Sequence, residues 1–280
     1  MQPQNLIALL CCCFFIACQT SNTSTESPTE VSVEEKKITK PPLETTQASI
    51  EKDRTPDDYR NENWRPEEGN YFFSETWTWE FYNDLLPADD PKHKGSFTVY
   101  LDPPTGTMLL TEHLDEMTDW IIVHPDGRYT TAFIDVHGVP HITKQKMADF
   151  EEHDFKLSTQ VADFEKYFTK KEGQKEFGAN KYGWETITAT PYEMTFEQTN
   201  DISNLHILEM PFSVRGLYLA SQTNYDLNFP LNLNFGYLLP ENYLVISEAY
   251  EFGGKKLGFH LKSVAPGNYF VNTVTYALNH

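Results

Sequence analysis

The fold class expected from the sequence is α+β: a curved antiparallel β-sheet, half-barrel-like, with a helical pair in the middle of the chain. Three observations carry this expectation. Apolar and polar residues alternate at period two both early and late in the chain, short turn motifs separate those runs, and a helical period intervenes only around residues 147–168.

The first strand is read at Tyr71-Phe72-Phe73-Ser74-Glu75-Thr76-Trp77-Thr78-Trp79-Glu80-Phe81, where odd positions are nearly all aromatic, as a half-buried strand requires. Phe97, Val99 and Leu101 repeat the alternation, and Asp102-Pro103-Pro104-Thr105-Gly106 turns the chain into Thr107–Thr111. Trp120–Val123, the turn His124-Pro125-Asp126-Gly127 and Tyr129–Val136 form the clearest hairpin. In the middle, Met147, Phe150, Asp154 and Leu157 predict one helix. Val161, Phe164, Tyr167 and Phe168 predict a second, capped by Ser158 or Thr159. Strands resume at Trp184–Thr190, Leu205–Met210, Leu217–Ser221, Leu231–Tyr237 and Tyr243–Phe252. A C-terminal three-stranded meander is then expected from the turns Gly253-Gly254 and Pro266-Gly267-Asn268 before Leu257–Val264 and Tyr269–Tyr276.

Ahead of this domain, taken as residues 71–280, the texture is different. Leu6–Ala17 is an uninterrupted apolar run, too short for the roughly 20 residues of a membrane-spanning helix but suited to the core of an export signal. Phe15-Ile16-Ala17-Cys18 and the polar chain after it resemble the lipobox of bacterial lipoproteins. That resemblance implies a signal peptide at 1–17, a diacylated Cys18 at the mature N-terminus, and a place in the bacterial cell envelope, lipid-anchored, on the outer membrane at its periplasmic or surface face. Acyl chains contribute about 0.8 kcal/mol per buried methylene, so such an anchor is effectively permanent. A cleaved secretory signal is the other reading of the same residues. Residues 18–70 are rich in Ser, Thr, Glu, Lys and Pro and read as a disordered tether, with a reach on the order of 40 Å; Trp64 near its end is a candidate to dock on the domain.

Composition excludes several classes. With 22 Lys and Arg against 41 Asp and Glu, the chain carries −19, so phosphate backbones are repelled and nucleic acid is not an expected partner. All four cysteines, Cys11, Cys12, Cys13 and Cys18, fall within the first eighteen residues, which leaves the domain without disulfides or a thiol nucleophile.

The stretch from Phe97 to Leu101 and from Asp119 to Tyr129, a strand pair leading to an aromatic hairpin, is similar in architecture to the LolA/LolB lipoprotein carriers. The resemblance implies an antiparallel half-barrel with helices against its concave side, and it transfers no residue roles.

Three sets of side chains are candidates for chemistry. Five of the nine histidines, His113, His124, His137, His141 and His153, lie close together in sequence, and His137, His141 and His153 beside Asp135 could ligate a borderline metal ion, although Gly138 and Pro140 prevent a helical i,i+4 pair; the other reading is surface or turn histidines of an acidic protein. Asp115, Glu116, Asp119, Asp126 and Asp135 could supply the carboxylate pair of a glycosidase, as accidental pairs among 41 acids also would. Trp77, Trp79 and Trp120 could line an apolar cavity or stack on sugars, while strand alternation places most such aromatics in the core. No nucleophile-elbow, P-loop or HExxH motif is present, and no cofactor is expected. The functional expectation is a membrane-anchored envelope lipoprotein whose non-catalytic domain binds a hydrophobic ligand, a glycan or an envelope protein. The alternatives are an exported hydrolase acting on glycan or peptide, and a structural component of an envelope assembly.

Overall fold

A computed structural model describes residues 55–146, 164–177, 187–195, 202–218 and 239–278. The chain is already structured at Thr55, upstream of the Tyr71 boundary expected from composition. Thr55 caps helix α1 (Pro56–Asn63): its hydroxyl accepts from the Asp58 amide, while Asp58 accepts from the Thr55 amide at 2.8 Å. Tyr59 is its one buried aromatic, so no apolar stripe marks the helix in the sequence. It is held from outside, because Arg60 donates to the fully buried carboxylate of Asp102 at 2.5 and 3.0 Å, and the Thr105 hydroxyl donates to the same carboxylate at 2.5 Å. A 3-10 turn (Pro66–Glu68) leads into the sheet.

The strands are β1 (Asn70–Asn83), β2 (Lys94–Asp102), β3 (Thr107–Leu110), β4 (Thr118–Val123), β5 (Arg128–Ile134), β6 (Pro140–Lys146), β7 (Phe168–Lys170), β8 (Lys175–Phe177), β9 (Ile187–Thr195), β10 (Ile202–Glu209), β11 (Tyr243–Phe252) and β12 (Lys255–Asn272), followed by helix α2 (Thr273–Leu278). They form a single open, curved, antiparallel sheet in the order β6-β5-β4-β3-β2-β1-β12-β11-β10-β9-β7, with β8 paired to β9 off that path. The middle of the sheet thus joins the start and end of the domain, since β1 pairs along its length with β12.

Several expectations are corrected. The predicted C-terminal meander is one hairpin: β12 runs unbroken through Pro266-Gly267, which is an irregularity in the ladder with β1 and not a turn, and Thr273 onward is helical. Residues 215–218 are a helical turn where a strand at Leu217 was expected. His137 lies in the β5–β6 turn and His141 in β6, so the chain leads there from strand to strand. The predicted helix at Met147–Leu157 and the strand at Leu231–Tyr237 lie outside the described residues; of the second predicted helix, 164–167 are helical and Phe168 opens β7.

Both sheet faces are covered. Neighbouring residues of a strand point to opposite faces, and Leu110 and Ile121 belong to one buried cluster while Leu109 and Ile122 belong to another. The first cluster is larger and extends from Trp77, Trp79 and Phe81 to Leu205 and Ile246. The segment 210–218 lies across this face. Its Phe212 packs against Gly106 in the β2–β3 turn, Gly216 lies against the His124 carbonyl, and the Tyr218 hydroxyl donates to the Tyr243 carbonyl of β11 at 2.8 Å. One short segment touching both halves of the sheet requires the sheet to curl around it, so this is the concave face. Gly216 is obligatory here, because a Cβ would overlap the His124 carbonyl oxygen.

The second face carries Tyr71, Phe73, Trp120, Ile122 and Val271 beneath Trp64 and Tyr276. Tyr71 and Phe73 share odd numbering with Trp77 and Trp79 yet face the other way, because the β1–β12 register shifts between Phe73 and Glu75. The ends of the domain meet on this side, where the Thr273 amide donates to the Gly69 carbonyl at 2.9 Å. Trp64 docks as anticipated, edge-on to Tyr71 with ring centroids 5.7 Å apart.

Candidate functional site

The candidate aromatic platform is dispersed. Trp77 and Trp79 are 5% and 4% exposed in the concave-face core, where Trp79 stacks on Phe97 at 5.1 Å; Trp120 is 2% exposed in the cluster on the opposite face. These three side chains are core. Burying a tryptophan removes on the order of 200 Å² from water, and that burial is the work they do.

The candidate metal ligands are not brought together. His141 Nε2 lies 3.0 Å from Asp135 Oδ2, and Asp135 Oδ1 accepts from the amides of His137 and Val139 at 2.8 and 2.9 Å. Those bonds, first the one from His141, hold the Asp135 carboxyl at about 2. The group is a turn clamp built on one aspartate, and His137 contributes only its backbone. His153 and Cys18 lie outside the described residues. Among the described residues no cluster of three His, Cys, Asp or Glu is placed to hold a metal ion.

The carboxylates considered for glycoside chemistry also have local partners. Asp115 accepts from the amides of Met117 and Thr118, both at 2.8 Å, Asp126 from the amide and guanidinium of Arg128, and Asp119 from the Tyr276 hydroxyl at 2.5 Å. Glu116 is exposed.

The structure assembles a different site from residues that sequence reading did not single out for chemistry. On the concave face a recess of about 290 Å³ is lined by Phe164, Phe168, Tyr192, Pro240 and Tyr243, with Glu165 and Lys170 also on its wall. Phe164 is its hub: it stacks on Phe168 at 4.8 Å and meets Tyr192 and Tyr243 edge-on at 5.3 and 5.5 Å. The sequence reason is local at one wall only, since Phe164 and Phe168 are i,i+4 across the junction of the helical turn and β7, while Tyr192 and Tyr243 arrive from β9 and β11. Tyr218 braces the β11 wall by accepting from the Val245 amide and donating to the Tyr243 carbonyl, both at 2.8 Å. Burial pushes the phenols of Tyr192 and Tyr243 above their ordinary range, so both stay neutral donors at physiological pH. The volume sits at the lower edge of the roughly 300–1,000 Å³ typical of small-molecule sites. Such a lining can take up an apolar chain or ring, with charged groups at the rim for a polar end.

No family model and no curated protein sequence matches the chain.

Proposed function

We propose that this protein is a lipid-anchored cell-envelope lipoprotein whose single domain binds a small apolar ligand without transforming it. The observation that carries this reading is the recess at Phe164, Phe168, Tyr192 and Tyr243, whose walls are aromatic and whose charged groups are Glu165 and Lys170. The apolar run before Cys18 supports export and acylation there, the Ser-, Thr-, Glu- and Pro-rich chain after it supports a tether, and an outer-membrane location is part of the same proposal. In the finer architecture proposed here, the sheet is a half-barrel and a helical pair precedes β7. An apolar molecule then meets aromatic walls that lose little rotamer freedom on contact, since each ring has only two side-chain torsions.

The test is native mass spectrometry and solvent extraction of the purified full chain, followed by titration with a fluorescent fatty acid. Saturable uptake at one molecule per chain, displaced by unlabelled fatty acid and weakened by Tyr192→Ala in a folded variant, is the expected result. An empty protein that also takes up no probe would reject the reading. The same mass spectrometry addresses the anchor: an unmodified mature N-terminus starting anywhere other than Cys18 would remove it.

A further inference from the structure

The register of the sheet places five polar side chains in one unbroken row on the face opposite the concave core: His206 on β10, Ser247 on β11, His260 on β12, Glu80 on β1 and Ser96 on β2, each directly opposite the next. Directly opposed side chains have Cβ atoms about 4.5–5.5 Å apart, so Ser247 stands between two imidazoles. Glu80 is engaged at one end of the row. Lys262 Nζ donates to its Oε1 at 2.6 Å, His260 Nε2 lies 3.5 Å from its Oε2, and Lys94 bears on it from β2.

The other end is roofed. Because β8 pairs with the start of β9 off the path of the sheet, it comes over this face and contacts β12. Phe177 meets the His206 ring edge-on at 5.0 Å, and Lys175 Nζ sits 5.0 Å from the Phe177 ring centre. His206 Nδ1 is buried there without a hydrogen-bond partner among the described residues.

We propose that His206, Ser247 and His260, with the ammonium of Lys175 above them, form a binding site for a tetrahedral oxyanion, a sulfate or phosphate group. The register and the β8 contacts bring an ammonium, a hydroxyl and two imidazoles, all able to donate, to this part of the row, while the Glu80 carboxylate beside His260 is paired with Lys262. A cation is disfavoured beside Lys175 and Lys262, and among the described residues no three metal-ligating side chains are placed to hold one. The buried Nδ1 has a bond to gain from a ligand oxygen, which offsets the cost of leaving it unsatisfied. In a chain of −19, such a donor cluster is a local reversal of sign.

The site is also sensitive to acid. Burial first, and then the charge of Lys175, holds the His206 imidazole down at about 4, and burial, Lys175 and Lys262 lower His260 against the opposing pull of Glu80. Both rings are therefore neutral in the empty site near neutral pH. A bound oxyanion favours their protonated forms, so by linkage its affinity rises as the pH falls.

The experiment is a titration of the full chain with inorganic sulfate, which stays doubly charged between pH 5.5 and 8, following the imidazole proton resonances of His206 and His260 by NMR. The expected result is a saturable shift of both histidines, a raised titration midpoint for His260 at saturation, and binding tighter at pH 5.5 than at pH 8 by about fivefold or more, the factor one added unit charge about 4 Å away supplies even in water. Lys175→Gln, an exposed position, is expected to weaken binding at both pH values with the fold unchanged by circular dichroism. Parallel titrations with glycerol 3-phosphate and with glycerophosphoglycerol separate a free phosphate monoester from a phospholipid headgroup, and preference for either supports an oxyanion site. No saturable shift with any of the three anions, or the same shift in Lys175→Gln, would overturn the proposal.

Discussion

Replacing Glu248 by Gln is expected to stabilise the protein, and only above mildly acidic pH. Glu248 on β11 is 9% exposed, directly opposite Leu205 and Phe259 of the concave core, and its Oε1 accepts from the Ser203 hydroxyl at 2.8 Å. Burial raises its titration midpoint to about 7 from an ordinary 4.5, outweighing the hydroxyl, which pulls the other way. A carboxyl with a raised folded-state midpoint contributes stability that is fully present below about 4.5 and is lost as pH rises through about 7. The difference of roughly two and a half units corresponds to about 3 kcal/mol at pH 8. Glutamine keeps an acceptor for Ser203 and never ionises, so it escapes that loss. Urea denaturation followed by tryptophan fluorescence, at pH 4 and at pH 8, measures the difference directly, and all other titrating groups cancel between the two proteins. The expected outcome is near equality at pH 4 and a Glu248→Gln advantage of about 3 kcal/mol at pH 8. An advantage independent of pH, or a variant less stable at pH 8, would refute the reasoning.

Other expectations follow from the same geometry. Arg60→Ala leaves the fully buried Asp102 carboxylate with the Thr105 hydroxyl as its side-chain partner among the described residues and should cost about 3 kcal/mol, with hydrogen exchange accelerating first in α1. Gly216→Ala forces a methyl group onto the His124 carbonyl and should lower stability by about 1–3 kcal/mol, measured as a drop in Tm. His141→Ala removes the largest cause of the low Asp135 midpoint, which should move back toward the ordinary carboxylate range by NMR titration, while the stability of this exposed turn barely changes. Trp77→Ala opens a core cavity and should cost about 3–5 kcal/mol in urea denaturation, an effect on folding and not on ligand uptake alone.

The strands that the sequence displays plainly are those with one apolar face and a sharp turn. Trp120–Val123 and Tyr129–Val136 are legible because Asp126-Gly127 closes a hairpin between alternating runs, and β11 matches its expected limits because Gly253-Gly254 ends it. What failed depends on partners distant in the chain. Pro266-Gly267 reads as a turn in isolation but is absorbed as an irregularity in β12, since both halves of that strand pair with β1. Helix α1 carries no apolar stripe and is tied to the sheet by an ion pair to Asp102, a residue that reads as the start of a turn, and by the burial of Tyr59. The tryptophans attracted attention as a platform because size and aromaticity are visible in sequence while the face they share is not. The recess was hidden for the same reason: its walls come from β7, β9 and β11, and only the Phe164 and Phe168 pair is local. The row from His206 to Ser96 is likewise created by register, and its members are scattered from residue 80 to residue 260.

Where an apolar ligand contacts the protein is the most direct measure of the central claim. A photoreactive fatty acid carrying a diazirine, irradiated with the full chain and mapped by peptide mass spectrometry, should label Phe164–Lys170, Tyr192 and Pro240–Tyr243, and unlabelled fatty acid should suppress those adducts. Labelling spread over the surface, confined to the opposite face of the sheet, or unaffected by competitor would contradict binding in the aromatic recess.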